Sequence, residues 1–206
     1  MSQPTLRTDR MLLVPLADRH LEVEVELDSD AEVLHFIFGR ARTREEVVGS
    51  HAQRMALGRR VEGLGYWIAY CAKDESAGTS APTEDAGEFV GLMMLPPAHG
   101  PDQPDDPTVA ELGYRIARRH WRRGFASEAS QVLLHHAFET VGQTRVIAQT
   151  MYVNVGSRAV MEKLGMRHVR TFEGTWDDPS PEDDEREVEY EITPQTWRDR
   201  KGRGTA

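Results

Sequence analysis

The stretch Glu111-Leu112-Gly113-Tyr114-Arg115-Ile116, followed after a short turn by Trp121-Arg122-Arg123-Gly124-Phe125-Ala126-Ser127-Glu128-Ala129, passes from a strand pattern through a basic turn into a helical pattern. Residues 109–117 read as one strand. From 124 to 141 the apolar residues fall at helical spacing, with Ala129, Val132, Leu133 and Ala137 on one face. A helix start exposes unpaired N–H groups and a partial positive charge, a combination that suits a phosphate. Gly124 and the small Ala126 let the backbone approach such a group closely, while Arg122 and Arg123 add charge and donors. Taken alone, the pattern fits a basic loop entering a helix equally well.

Composition narrows what surrounds this stretch. A chain of 206 residues suffices for one well-buried domain. The net charge of −9 argues against general nucleic-acid affinity. Yet Arg115, Arg118, Arg119, Arg122 and Arg123 fall within nine positions, so a compact anionic ligand is expected rather than a long polyanion. The single cysteine, Cys71, excludes an internal disulfide and a zinc cage of several thiolates. The histidines have no metal-ligand spacing, so no metal is expected. No stretch reaches the apolar length of a membrane span and no apolar signal core opens the chain, so a cytoplasmic protein is expected, without membrane or nucleic-acid partners.

The rest of the chain reads as alternating elements. Residues 5–16 form a first strand, Asp18 and Asp30 stand where they can cap helices, and Thr43 with Glu46 makes a capping box for a helix to about 61. Strands are expected at 65–71 and 88–95, separated by a polar loop at 73–87, and a proline-rich surface loop covers 96–107. A strand at 145–153 leads to a short helix at 157–164 that Gly165 stops. Residues 166–176 and 187–193 should pair as a final hairpin across an acidic loop. In its second strand Val188, Tyr190 and Ile192 alternate with Glu187, Glu189 and Glu191, which predicts one buried face and one wet face. The expectation is a single α+β domain over 1–195 with a frayed tail from 196 to 206.

Beyond the basic turn, Asn154-Val155-Gly156-Ser157 and Glu162-Lys163-Leu164-Gly165-Met166 follow at fixed places after the next strand. With the segment Trp121–Ala129 and the opening Leu6-Arg7-Thr8-Asp9-Arg10-Met11-Leu12-Leu13, they resemble the GNAT superfamily of N-acetyltransferases. Trp121 at the first motif position is similar to the RimJ/RimL branch, the ribosomal-protein N-terminal acetyltransferases. The resemblance covers roughly residues 5–193. It implies a mostly antiparallel mixed sheet splayed where CoA binds, acetyl-CoA as co-substrate, an amine acceptor and a homodimer.

The resemblance also implies residue roles. Ile116 and Arg118 would offer backbone partners to pantetheine, Arg122, Arg123, Gly124, Phe125, Ala126 and Ser127 would surround the pyrophosphate, and Asn154 would lie by the pantetheine arm. Attack on a thioester needs a neutral amine, and a carboxylate can take its proton directly or through water. Glu111 is the candidate, with Glu173 and Glu189 as substitutes, and an exposed strand glutamate is the plain alternative. Many relatives place a tyrosine seven residues after the asparagine to protonate the departing thiolate. Here that position is Met161, whose thioether cannot donate a proton, so Ser157 takes the role by resemblance. Asn154 and Ser157 can equally be helix-cap residues. The acidic residues 177–185 either attract a cationic acceptor or simply solvate a loop. Two further readings stay open: an acyl-CoA-binding sensor without turnover, motivated by Met161, and a succinyl-CoA enzyme with Arg115 near the acyl end. A covalent route through Cys71 is discounted, and His136 is expected to be packed in the core.

Overall fold

Nearly continuous apolar runs in the first half of the chain build most of one sheet, and later strands complete it and build another. A computed structural model describes residues 3–72, 87–100, 103, 105–174 and 186–203. β1 (Leu6–Arg7), β2 (Met11–Pro15), β3 (Gly65–Cys71), β4 (Phe89–Leu95) and β6 (Gly113–Ile116) form an antiparallel sheet in the order β1-β2-β3-β4-β6. The second sheet runs β5 (Val109–Glu111), β7 (Arg145–Met151), β9 (Arg186–Ile192), β8 (Arg167–Glu173), with β5 parallel to β7 and the other pairs antiparallel.

The strand expected at 109–117 is therefore two strands in two sheets. Leu112 is the crossing point: its N–H donates to Ile147 O on the β7 side at 2.8 Å, and from Gly113 onward the chain pairs with β4. Alternation continues through the crossing, so the pattern that marks a strand gives no sign that its partner changes.

Helices close the faces. α1 (Leu21–Asp28), α2 (Ala31–Phe38) and α3 (Arg44–Leu57) lie over one face of the first sheet, where Leu12, Val14, Leu27, Ile68 and Leu92 are buried together. α4 (Phe125–His135), widened into a π-type turn over His136–Val141, packs on β4, β6 and α5 (Val155–Leu164) in the main core, and α5 in turn meets β7. Asp30 caps α2, its Oδ1 accepting from the Glu32 N–H at 3.0 Å. The Thr43–Glu46 capping box is formed, but α3 ends at Leu57, before Gly58. Asp18 caps nothing: Ala17 precedes the short 3-10 turn Asp18–His20, and the Asp18 carboxylate faces His51 Nε2 at 3.3 Å.

A buried charge network fastens these helices to the sheet. Arg115 Nη1 of β6 reaches both Asp28 oxygens, at 2.9 and 2.8 Å, while Arg54 of α3 bonds Glu24 of α1. Such groups carry a large desolvation cost that only close pairing offsets.

Two further expectations change. Glu189 and Glu191 are not on a wet face but only 4% and 7% exposed. β9 is an inner strand, and Arg170, Gln149 and Gln103 bond Glu189 while Arg167 and Arg145 bond Glu191. The segment expected to fray from 196 is α6 (Pro194–Arg203). Its Trp197 is 6% exposed and packs against His135 and Phe138, at ring separations of 5.7 and 5.9 Å. Among the described residues no helix is long and apolar enough to cross a membrane.

Removing the Trp197 indole leaves a cavity between α6 and α4. Trp197→Ala should cost about 3 kcal/mol of stability, read as a lower urea midpoint at unchanged slope.

Candidate active site

The crossing at Leu112 opens a fork. β5 stays with β7 over Val109–Glu111 opposite Arg145–Ile147, whereas β6 turns to β4, so β6 and β7 diverge. A cleft of about 1350 Å³ lies along this fork, bordered by Glu111, Ile116, Gly124, Ser127, Asn154 and Ser157. It extends past α2 and α3, where Val33, Phe36, Ile37, Leu57 and Met94 supply an apolar wall.

One end of the cleft is the start of α4. Gly124 is its N-cap residue at φ 80°, and no side chain caps the helix, so its first N–H groups lack an internal acceptor. Arg122 is the non-glycine residue with positive φ, 59°, among the described residues. That is a sparsely populated backbone state which the surrounding structure must enforce. Arg10 helps to enforce it: Nη1 donates to Arg123 O at 2.9 Å, and its guanidinium lies over the Phe125 ring at 4.5 Å. Glu128 in the first turn of α4 accepts from Thr8 Oγ1 at 2.5 Å and from Arg10 Nε at 2.6 Å. Burial pushes the Glu128 carboxyl up, but these hydrogen bonds outweigh it and hold it below the usual range. The buttress from Thr8 and Arg10 was not visible in the sequence, because those residues lie more than a hundred positions away.

The expected anion-site residues divide into two groups. Ile116, Arg122, Gly124, Phe125, Ala126, Ser127 and Asn154 border the cleft. Arg118 instead borders a shallow depression beside α1 and α2, and Arg123 is engaged by His120 Nδ1 at 3.1 Å. The Ile116 carbonyl is also taken, accepting from Trp121 Nε1 at 2.7 Å.

The middle of the cleft joins β6 to α5. Asn154 caps α5, its Oδ1 accepting from the Ser157 N–H at 3.1 Å while Nδ2 donates to Thr150 Oγ1 at 3.1 Å. Met161 is core, 2% exposed. A phenol nevertheless reaches this region from the opposite wall: Tyr114 Oη is 3.1 Å from Ser157 Oγ, and burial pushes its pKa up to about 12. A motif scan along one helix misses it, because the ring arrives from β6.

At the far end stands Glu111, its side chain 26% exposed, with His99 Nδ1 at 3.3 Å from its Oε2. The hydrogen bond to Glu111 raises the His99 pKa above its usual value, despite burial acting the other way. The substitutes fare differently. Burial raises Glu189, yet its bonds with Arg170, Gln149 and Gln103 leave it below the usual range and occupy its oxygens. Glu173 ends β8 and does not border the cleft. The acidic residues 177–185 lie outside the described residues.

Arg115, the basic group considered for a longer acyl chain, is buried and bound to Asp28. His136 is packed in the core with Nε2 at 2.8 Å from Gly63 O. Cys71, Glu88 and His120 bring potential ligand atoms within 4.8 Å of one another, but Arg119 donates to Glu88 at 3.0 Å and Arg123 approaches His120 at 3.1 Å. Burial, followed by Glu88, pushes the Cys71 thiol up, which leaves it a poor nucleophile.

The left-handed turn at Gly124 is open to a test. A Cβ there meets nothing closer than Arg10 Nη2 at 3.5 Å, so Gly124→Ala changes backbone strain rather than packing. It should lower stability by about 1–2 kcal/mol in urea unfolding, and weaken anion binding at the helix start in calorimetry.

Comparison with known proteins matches this architecture. The chain matches the acetyltransferase (GNAT) domain family over residues 10–167. A curated relative, the FsC-acetyl coenzyme A-N(2)-transacetylase of Aspergillus fumigatus, is 36% identical over 199 residues, spanning 95% of this chain and 79% of the relative. Among solved structures, a GNAT-family acetyltransferase from Bacillus anthracis superposes with a TM-score of 0.69 at 21% identity, covering 93% of this chain and 99% of that one. The ribosomal L7/L12 alpha-N-protein acetyltransferase RimL, solved with coenzyme A, gives 0.68 at 16% identity over 92% and 96% of the two chains. These two likenesses concern the fold. The divided sheet, the helix start at its fork and the family match lead to one conclusion: this chain has the GNAT fold, belongs to the GNAT acetyltransferase family, and is an acetyltransferase.

Proposed function

We propose that the protein transfers the acetyl group of acetyl-CoA to a primary amine by direct attack within a ternary complex. The observation that carries this reading is the juxtaposition in one cleft of the uncapped α4 start and the Glu111 carboxylate, on either side of the β6–β7 fork. The fork suits an extended pantetheine arm. The N–H groups of Gly124 to Ser127, with Arg122, suit the pyrophosphate, since backbone donors and a helix dipole hold anions without reorganising. Anchoring the remote phosphates turns binding energy into orientation of the thioester.

Chemistry then falls to the far end. An ammonium has no lone pair, so Glu111 draws off the proton, itself or through a neighbour, before the amine nitrogen attacks the thioester carbon. Ser157, backed by the Tyr114 hydroxyl, is the group we assign to the departing sulfur, and its assistance is modest because a thiolate is a stable leaving group. The relative's name gives acetyl coenzyme A as donor and a nitrogen as the acetylated atom, which supports the same donor and acceptor class here. Trp121 supports placement near the RimJ/RimL branch. A cytoplasmic homodimer belongs to the same reading. The succinyl-CoA alternative loses its support with Arg115 bound to Asp28, and the sensor alternative with a phenol restored at Ser157.

The protein incubated with acetyl-CoA and a panel of primary amines should release free CoA thiol. Glu111→Gln should lower kcat/KM by about 10²-fold with the acetyl-CoA Kd unchanged. Tight acetyl-CoA binding with no thiol release across the panel would overturn the proposal.

A further inference from the structure

We infer that the acceptor's proton is taken by His99 Nε2, with Glu111 acting as the positioning residue that holds the imidazole. This rests on the acetyl-transfer reading and assigns its proton-accepting atom. His99 Nδ1 faces two oxygens, Glu111 Oε2 at 3.3 Å and Pro97 O at 3.3 Å. Two acceptors on one nitrogen place the hydrogen on Nδ1, so the neutral ring keeps its lone pair on Nε2.

The placement belongs to the fold rather than to a loop. The Ala98 N–H donates to Val109 O at 2.9 Å, the Glu111 N–H donates to Pro96 O at 2.9 Å, and Pro97 bridges Ala110. The residues before His99 are thereby zipped along β5, the strand that ends in Glu111. Both side chains border the cleft beside Leu112 and Gly113, and both are reachable, at 42% and 26% exposure.

The chemistry favours an imidazole over a bare carboxylate. A base works best when its pKa lies near the working pH, and an ordinary glutamate at about 4.3 is far below an alkylammonium. Two charged groups bear on His99. Glu111 on β5 raises its pKa most, whereas Arg60, in the turn after α3 and held by Asp105 at 3.0 Å, lowers it. Burial also lowers it, and the net effect is upward. In the reaction the amine nitrogen bonds to the thioester carbon and the C–S bond breaks with its electron pair left on sulfur. The proton lost by nitrogen goes to Nε2. The imidazolium later returns it to solvent, and the thiolate takes its own proton from Ser157 or water.

The sign of the pH effect follows. His99 acts as a base only when neutral, so activity should fall as pH drops through its raised pKa. The pH profile of kcat/KM for the wild type, His99→Gln and Glu111→Gln tests this. The wild type should show a limb above histidine's ordinary value of about 6.5, which Glu111→Gln moves downward. His99→Gln should remove the limb and cost at least about 10²-fold at neutral pH, with acetyl-CoA binding retained as a folding control. A His99→Gln enzyme with the wild-type limb and rate overturns the assignment. NMR titration of the His99 ring without substrate adds a readout independent of turnover, and an unchanged His99 pKa in Glu111→Gln also overturns it. A wild-type protein that acetylates no amine sinks the acetyl-transfer reading instead, while the titration still decides whether the pair exists.

Discussion

The hydrogen bond from the Leu112 N–H to the Ile147 carbonyl marks where one extended segment leaves one sheet for another, and the rest of the molecule is arranged around that departure. A continuous strand would leave a single closed sheet with no gap. By changing partners the chain leaves facing strand edges apart, and backbone polar groups along such an edge need either water or a ligand. The main core therefore has to support two sheets at once. α4 and the turn that continues it contribute to this core through Ala129, Leu133 and Ala137, all fully buried.

The same helix presents its start to the gap, so core packing fixes one border of the cleft. Arg10 and Thr8 brace the turn before α4 from the edge of the first sheet, with Glu128 as the shared acceptor. On the opposite flank, Asp28 and Glu24 tie α1 to β6 and α3. The flank of the cleft formed by α2 and α3 is walled by elements locked through buried charge, and the flank at the α4 start by a strained turn held from outside.

Sequence and structure agree where the determinants are local. The Gly124 turn, the Thr43–Glu46 box and the final hairpin are written in neighbouring residues, and each is formed. What could not be read depends on partners distant in the chain. The division of residues 109–117 depends on β4 and β7, which no alternation pattern names. The burial of Glu189 and Glu191 depends on arginines from β7 and β8 and on β9 lying inside its sheet. Tyr114 reaches Ser157 across the fork, and His99 sat inside what read as a proline-rich surface loop. The helical segment at 194–203 was hidden by its charge, because Trp197 is its one buried side chain among the described residues.

The inner position of β9 sets an order of events during synthesis. β9 follows every strand of its sheet in the chain, yet it lies between β7 and β8. As the polypeptide emerges, β7 first has only the three-residue parallel contact with β5, and β8 has no hydrogen-bonded neighbour until β9 arrives. Long-range pairings of this kind form slowly, because loop-closure entropy comes before the contacts that offset it. Until β9 arrives, Arg145, Arg167 and Arg170 lack the Glu189 and Glu191 carboxylates that they meet in the folded sheet. The second sheet is therefore complete only once residue 192 has been made.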